Sequence, residues 1–285
     1  MFAVTGASGQ LGQLVIGKLL EKVEAKNIVA VVRNAAKVPE FSAKGIVVRE
    51  ADYTDSTSLE KAFAGVDKLL LISSSEVGSR LTQHANVINA AKKADIDLLV
   101  YTSILRADST PLALAGEHLE TETLIKASGI PAAILRNGWY TENYTAGVPV
   151  ALQHNGLFGA AAEGRIASAA RLDYAEAAVA VLTSQNHVGK IYELAGDTSY
   201  SLAELAAEIS AQTGKAIGYT NLSQTDYKAA LLGAGLPEWL AELLSESDAG
   251  AAKGALFDDG HQLSKLIGRP TTALSILVKA ALESI

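Results

Sequence analysis

The chain has 285 residues, 49% of them hydrophobic and 19% charged, enough core material for one large α/β domain or a nucleotide-binding domain with a smaller lobe. It contains no cysteine, which excludes disulfides, thiolate nucleophiles and thiolate metal sites. A formal charge of −7 argues against a nucleic-acid surface.

The opening residues 2–4 are apolar and are followed at once by Thr5 and Gly6. No basic stretch precedes them, so they do not read as a secretory signal. No later run approaches the roughly 18 apolar residues of a membrane span. The cytoplasm is therefore the expected compartment.

Short apolar runs recur at 2–4, 28–32, 46–48, 69–72, 98–101 and 132–135, with little alternation. Strands covered on both faces of a parallel sheet read this way. Between them, residues 11–23, 58–64, 81–93 and 112–127 carry apolar residues at helical spacing. The alternation predicts a doubly wound α/β fold. From about residue 138 to 164 glycine, tyrosine and asparagine replace any clear period, which predicts loops with a short helix. A helix is expected over 172–182 and a last strand over 190–194. Ser201 suits a helix N-cap, with Glu204 at the capping-box position. The remainder reads as mostly helical, broken by Gly214, Gly233 and Gly268-Arg269-Pro270.

The first turn carries chemistry. Gly6-Ala7-Ser8-Gly9-Gln10-Leu11-Gly12 is spaced G-x-x-G-x-x-G between a strand and a helix. Gly6 allows the tight turn, Gly9 lets backbone approach a phosphate, and Gly12 lets helix and strand pack closely. With Ser8, Gln10 and Leu11 they offer backbone N–H groups and a helix N-terminus to a pyrophosphate. Arg33 closes the second run, where a carboxylate would bind the ribose hydroxyls of NAD. A guanidinium there suits the 2′-phosphate of NADP, and Lys37 lies near enough to add charge. Asp52 fits either the adenine amino group or the lead of a helix.

Ser73, Ser74 and Ser75 follow the fourth run, where small hydroxyl residues let a ribose approach; a serine-rich turn without ligand is the plainer reading. Ser103 ends the fifth run on the side expected to face a nicotinamide, as do Asn137, Gly138, Trp139 and Tyr140 after the sixth. Trp139, Tyr140 and Tyr144 suit a flat slot for a planar substrate ring, with Asn143 holding a carbonyl oxygen. They suit packing between two lobes equally well. The histidines His84, His118, His154, His187 and His261 show no metal-ligand spacing, so no metal site is expected. No G-x-S-x-G elbow is present.

Taken together, residues 5–12, Arg33, Ala51-Asp52, Ser103, and Gly129-Ile130-Pro131 leading into Leu135-Arg136-Asn137-Gly138 resemble the NmrA-like branch of atypical short-chain dehydrogenases, nearest its quinone-reducing bacterial members. Gly268-Arg269-Pro270 before a helix is similar too, and the resemblance covers essentially the whole chain. It implies an extended Rossmann fold, NADPH as hydride donor and a quinone as acceptor, with no flavin. The expected division is an NADP-binding Rossmann domain over 1–150 and a smaller substrate lobe mainly over 151–285, with 172–196 returning to the first domain. Homo-oligomerisation is left open.

One departure bears on mechanism. Where ordinary members carry tyrosine and, four residues on, lysine, this chain carries Leu114 and His118. A ketone reduced by hydride becomes a strongly basic alkoxide and needs an acid nearby. A quinone becomes a phenolate-like anion, whose conjugate acid has a pKa of about 10 by analogy with tyrosine. The missing pair thus disfavours alcohol chemistry and leaves quinone reduction feasible. His118 is the one candidate proton donor, with a helix-surface role the alternative; as donor it would serve reduction of a carbonyl or activated double bond. A non-catalytic NADP(H)-binding redox sensor is the competing function.

Overall fold

The run Ile28-Val29-Ala30-Val31-Val32 is buried at every position, as is the run from Leu98 to Ile104. Strands with no polar face must be covered on both sides, which requires helical layers above and below. A computed structural model describes Met1–Ile285. Its strands are β1 (Phe2–Val4), β2 (Ile28–Val32), β3 (Val47–Glu50), β4 (Lys68–Leu71), β5 (Leu98–Ile104), β6 (Ala132–Asn137), β7 (Gly156–Gly159), β8 (Ile191–Leu194) and β9 (Gly218–Asn221). Its first helices are α1 (Gln10–Leu20), α2 (Pro39–Ala43), α3 (Ser56–Ala62), α4 (Arg80–Lys93), α5 (Ala115–Ser128), α6 (Glu142–Thr145) and α7 (Val148–His154). Then follow α8 (Arg171–Thr183), α9 (Leu202–Thr213), α10 (Gln224–Gly233), α11 (Glu238–Ala251), α12 (Gln262–Ile267) and α13 (Leu274–Glu283).

Seven strands form one parallel sheet in the order β3-β2-β1-β4-β5-β6-β8. The strand order reverses between β1 and β4, and ligands of such sheets lie beyond the strands' C-terminal ends at that switch. One face is covered by α1 and α8, through Val15, Ile16 and Leu19 with Tyr174, Ala178 and Leu182. The other is covered by α3, α4 and α5, through Leu59, Val87, Ile88 and Ile125 against Leu69, Leu99 and Tyr101. A separate core joins Leu202, Leu205 and Ile209 of α9 to Val148, Leu157 and Val278.

All six expected strands form, with β3 starting one residue later and ending at Glu50, β4 displaced by one residue, and β5 and β6 running on to Ile104 and Asn137. The expected capping box is present: Ser201 Oγ accepts from the Glu204 N–H, and Glu204 accepts from the Ser201 N–H. The expectation of loops with a short helix over 138–164 is met in the helix and corrected in the number of elements. That stretch holds α6, α7 and β7, and the mostly helical tail holds β9, which pairs in parallel with β7. Gly-Leu-Phe-Gly and Gly-Tyr-Thr-Asn are too short to alternate, and their glycines read as turns. No helix is long and apolar enough to cross a membrane.

Candidate functional site

At the switch point lies a groove of about 290 Å³. The structure brings Gly6, Ser8, Gly9, Gln10, Leu11, Gly12, Arg33, Asp52, Ser73, Ser74 and Ser75 together in its wall. Gly6 turns the chain with φ +59°, a conformation that favours glycine, and its carbonyl accepts from the Gly9 N–H at 2.9 Å. A Cβ on Gly12 would lie 2.3 Å from the Gly6 carbonyl oxygen and 2.7 Å from the Ala7 Cα, so only glycine fits there. Gly9 is the N-cap of α1 and offers no side chain, leaving the first-turn N–H groups open to the groove. The cradle therefore fits a pyrophosphate.

The floor is braced by groups that sequence reasoning did not single out. Thr5 Oγ1 donates to the Leu70 carbonyl at 3.1 Å and accepts from the Ile72 N–H, tying β1 to β4. Tyr53 donates to the Ile72 carbonyl at 2.9 Å and lies 2.5 Å from Thr5 Oγ1. Burial pushes its hydroxyl well above the ordinary phenol range, so it stays protonated. Tyr53, Glu76 and Gln83 all line the groove. Tyr53 follows Asp52 at a strand's end, which was a usable signal; Gln83 sits among polar residues on a helix and gave none.

Arg33 is 73% exposed and donates from Nη1 to Glu76 Oε1 at 3.1 Å. Lys37 is exposed and is not part of the groove wall. With α3 capped by Asp55, Asp52 stands apart from the helix. It lines the groove while Oδ1 accepts from the Thr54 N–H and hydroxyl at 2.8 and 2.6 Å, and those two bonds hold its carboxyl below the usual range. The serine turn is pinned from beneath. Thr102 Oγ1 accepts from the Ser73 N–H, His84 Nε2 accepts from the Ser74 N–H, and Arg80 Nε donates to the Ser74 carbonyl. The Ser74 contact assigns the His84 proton to Nδ1, which donates to Thr121 Oγ1 at 3.0 Å.

The residues expected around a nicotinamide and substrate lie outside this groove wall, at the ends of β5 and β6. Ser103 donates to Glu122 Oε1 at 2.5 Å, and Glu122 is held by Arg136 through Nε at 3.0 Å and Nη2 at 2.8 Å. Arg136 also pairs with Asp108 and Glu193, both at 2.9 Å. Ser103 is thus committed to a buried ionic cluster. Asn137 is buried with its Oδ1 unpartnered, an acceptor left over at the strand end. Gly138 has no room for a side chain, since a Cβ would fall 2.9 Å from the Leu194 carbonyl oxygen.

Beyond it the aromatic residues are partly spoken for. Trp139 and Tyr144 pack on the separate core around α9, and Tyr144 donates to Asp248 Oδ1 at 3.0 Å. Tyr140 lies edge-on to Tyr174 with the Arg171 guanidinium 4.9 Å from its ring centre. Asn143 Oδ1 accepts from Arg171 Nη2 at 2.7 Å.

The helix-surface reading of His118 is corrected. The side chain is buried on α5, not on the helix surface, and its Nδ1 is 2.8 Å from the Tyr101 hydroxyl. Burial depresses its pKa to about 3, so it is neutral near pH 7 and no imidazolium acid. No group of histidines and acidic residues could hold a metal ion.

The sequence profile described as NAD(P)H-binding matches residues 6–185, from the glycine cradle to just past α8. The chain belongs to that NAD(P)H-binding family. It is 56% identical to quinone oxidoreductase 2 of Escherichia coli over 275 residues, 96% of either chain. An NADPH-dependent quinone oxidoreductase from Escherichia coli, in complex with NADPH, matches it with TM-score 0.97 and 55% identity over 99% of this chain and 100% of that one. Citrobacter triphenylmethane reductase complexed with NADP(H) matches with TM-score 0.96 and 38% identity, over 99% of this chain and 100% of that one. Within the family span fall Arg33, Asp52 and the serine turn, so the groove wall and the matched region coincide.

Proposed function

We propose that the chain reduces quinones with NADPH by direct hydride transfer, without a flavin. The likeness at 56% identity to an Escherichia coli quinone oxidoreductase over nearly the whole chain carries the acceptor. The groove supports the donor. The open N–H groups of α1 and the cradle at Gly9 and Gly12 take the pyrophosphate, Arg33 takes the 2′-phosphate, and Asp52 the adenine side. Bound NADPH supplies the hydride.

The protein's share is then positioning and exclusion of water. Ser73 to Ser75 are held by Thr102, His84 and Arg80, which fixes the wall along which the ribose lies. Asn137, Gly138 and Tyr140 line the way to the acceptor. Tyr140, stiffened by Tyr174 and Arg171, and Asn143 receive the quinone ring. No acid is required of the chain, because the phenolate-like product takes its proton from water. The loss of a tyrosine–lysine pair and the neutral, buried state of His118 are both consistent with that economy.

The test is stopped-flow oxidation of NADPH by a simple benzoquinone with flavin-free protein. Consumption of one NADPH per quinone is expected. Tight NADPH binding with no turnover by any quinone would contradict the proposal and favour a redox sensor.

A further inference from the structure

Arg33 does not stand alone at the mouth of the groove. It follows β2, Glu76 lies in the turn after β4, and these two strands flank β1 on opposite sides. Their side chains meet across the groove at 3.1 Å. The carboxylate is anchored from the protein side: Gln83 Nε2 donates to Glu76 Oε2 at 2.7 Å, and Ser74 Oγ accepts from the Glu76 N–H at 3.2 Å. Gln83 is itself buried on the first turn of α4, and its orientation is fixed because a carboxylate can only accept. Arg33, in contrast, is a long side chain mostly in solvent and free to turn.

We propose that Glu76 is a specificity-determining residue that opposes binding of the 2′-phosphate. It occupies the guanidinium that reads the phosphate, and it stays in place as a fixed negative charge once Arg33 has turned to the nucleotide. The proposal rests on the reading of Arg33 as the phosphate-binding residue. A phosphate monoester carries about −1.5 to −2 charge at neutral pH, so the repulsion falls on NADPH and NADP alike and spares NADH. Selectivity between the two cofactors is then a difference between attraction by Arg33 and repulsion by Glu76.

Glu76→Gln keeps an acceptor for Gln83 and the shape of the side chain while removing the charge. Both partners are exposed, so the effect is that of a surface pair and not of a buried one. The test is calorimetric titration of the full chain with NADPH, NADH and 2′,5′-ADP, in wild type, Glu76→Gln, Arg33→Gln and the double variant. Glu76→Gln is expected to tighten NADPH and 2′,5′-ADP about five-fold and to leave NADH unchanged. The gain should shrink at high salt and in the Arg33→Gln background. Unchanged or weaker NADPH binding in Glu76→Gln would overturn the proposal, as would an equal gain for NADH. If Arg33→Gln weakens NADPH and NADH equally, the reading of Arg33 fails first, and the proposal fails with it.

Discussion

Gly12 and Arg33 set the two steepest requirements of the site. A methyl group at Gly12 would be driven into the Gly6 carbonyl at 2.3 Å and the Ala7 Cα at 2.7 Å. Gly12→Ala should therefore lose about 1–3 kcal/mol of stability, read by denaturant unfolding, and bind NADPH more weakly because the cradle must shift. Arg33→Asp should weaken NADPH relative to NADH by roughly 10- to 100-fold, the range of a charge-assisted hydrogen bond. Equal losses for both nucleotides would show that Arg33 does not read the phosphate. At His118 the expectation is reversed. His118→Ala removes the 2.8 Å partner of the buried Tyr101 hydroxyl and should lower stability by about 1–3 kcal/mol, read by thermal melting, while quinone turnover per folded molecule is kept. A collapse of turnover at unchanged stability would restore His118 as a catalytic group.

Elements differ in how much of themselves they show in one dimension. The turn from β1 to α1 was legible because every part of it lies within residues 2–20 and its glycines have local reasons to be glycines. The opposite wall was half legible: the serines announced themselves, but the Glu76–Gln83 contact that orders their turn joins a loop to a helix. α5 misled because its inward face is polar. His118, Thr121 and Glu122 are all buried there, satisfied by Tyr101, His84, Ser103 and Arg136, and apolar periodicity is blind to such a face. β7 and β9 were missed because four-residue strands that begin with glycine carry no period. The tail after α12 is held to α8 by another contact of this kind. Arg269 pairs with Asp173 at 2.7 Å and with Glu176 at 2.6 Å, and Thr272 donates twice more to the fully buried Asp173. Arg269→Ala would remove the counter-charge and leave that carboxylate only its Thr272 donors, and should lower stability by about 1–3 kcal/mol in denaturant unfolding, with NADPH affinity unaffected.

For the molecule as a whole, buried titratable groups pull stability in opposite directions with pH. Asp248, between Tyr144 and the Ala160 N–H, has its pKa pushed up to about 6 by burial, from 3.8. The folded state then holds its proton longer than the unfolded one, so this contribution to stability is present below about pH 4, is lost as pH rises toward 6, and stays lost above. His84 and His118, both depressed to about 3 from 6.5, act oppositely: their contribution is present above pH 6.5 and is lost as pH falls toward 3. Asp248→Asn isolates the first effect and should raise stability at pH 7.5 by up to about 3 kcal/mol relative to wild type, with the gain vanishing near pH 4. These balances concern the scaffold, whereas the reaction concerns the groove and the end of β6. The most direct measurement of the reaction is single-turnover quinone reduction by flavin-free protein loaded with NADPH deuterated at C4 of the nicotinamide. Direct hydride transfer predicts slower reduction with deuterium on one face of the ring only, and deuterium carried to quinone-derived product or its exchangeable hydroxyl. Dependence of turnover on added flavin, or bound NADPH that no quinone oxidises, would contradict it.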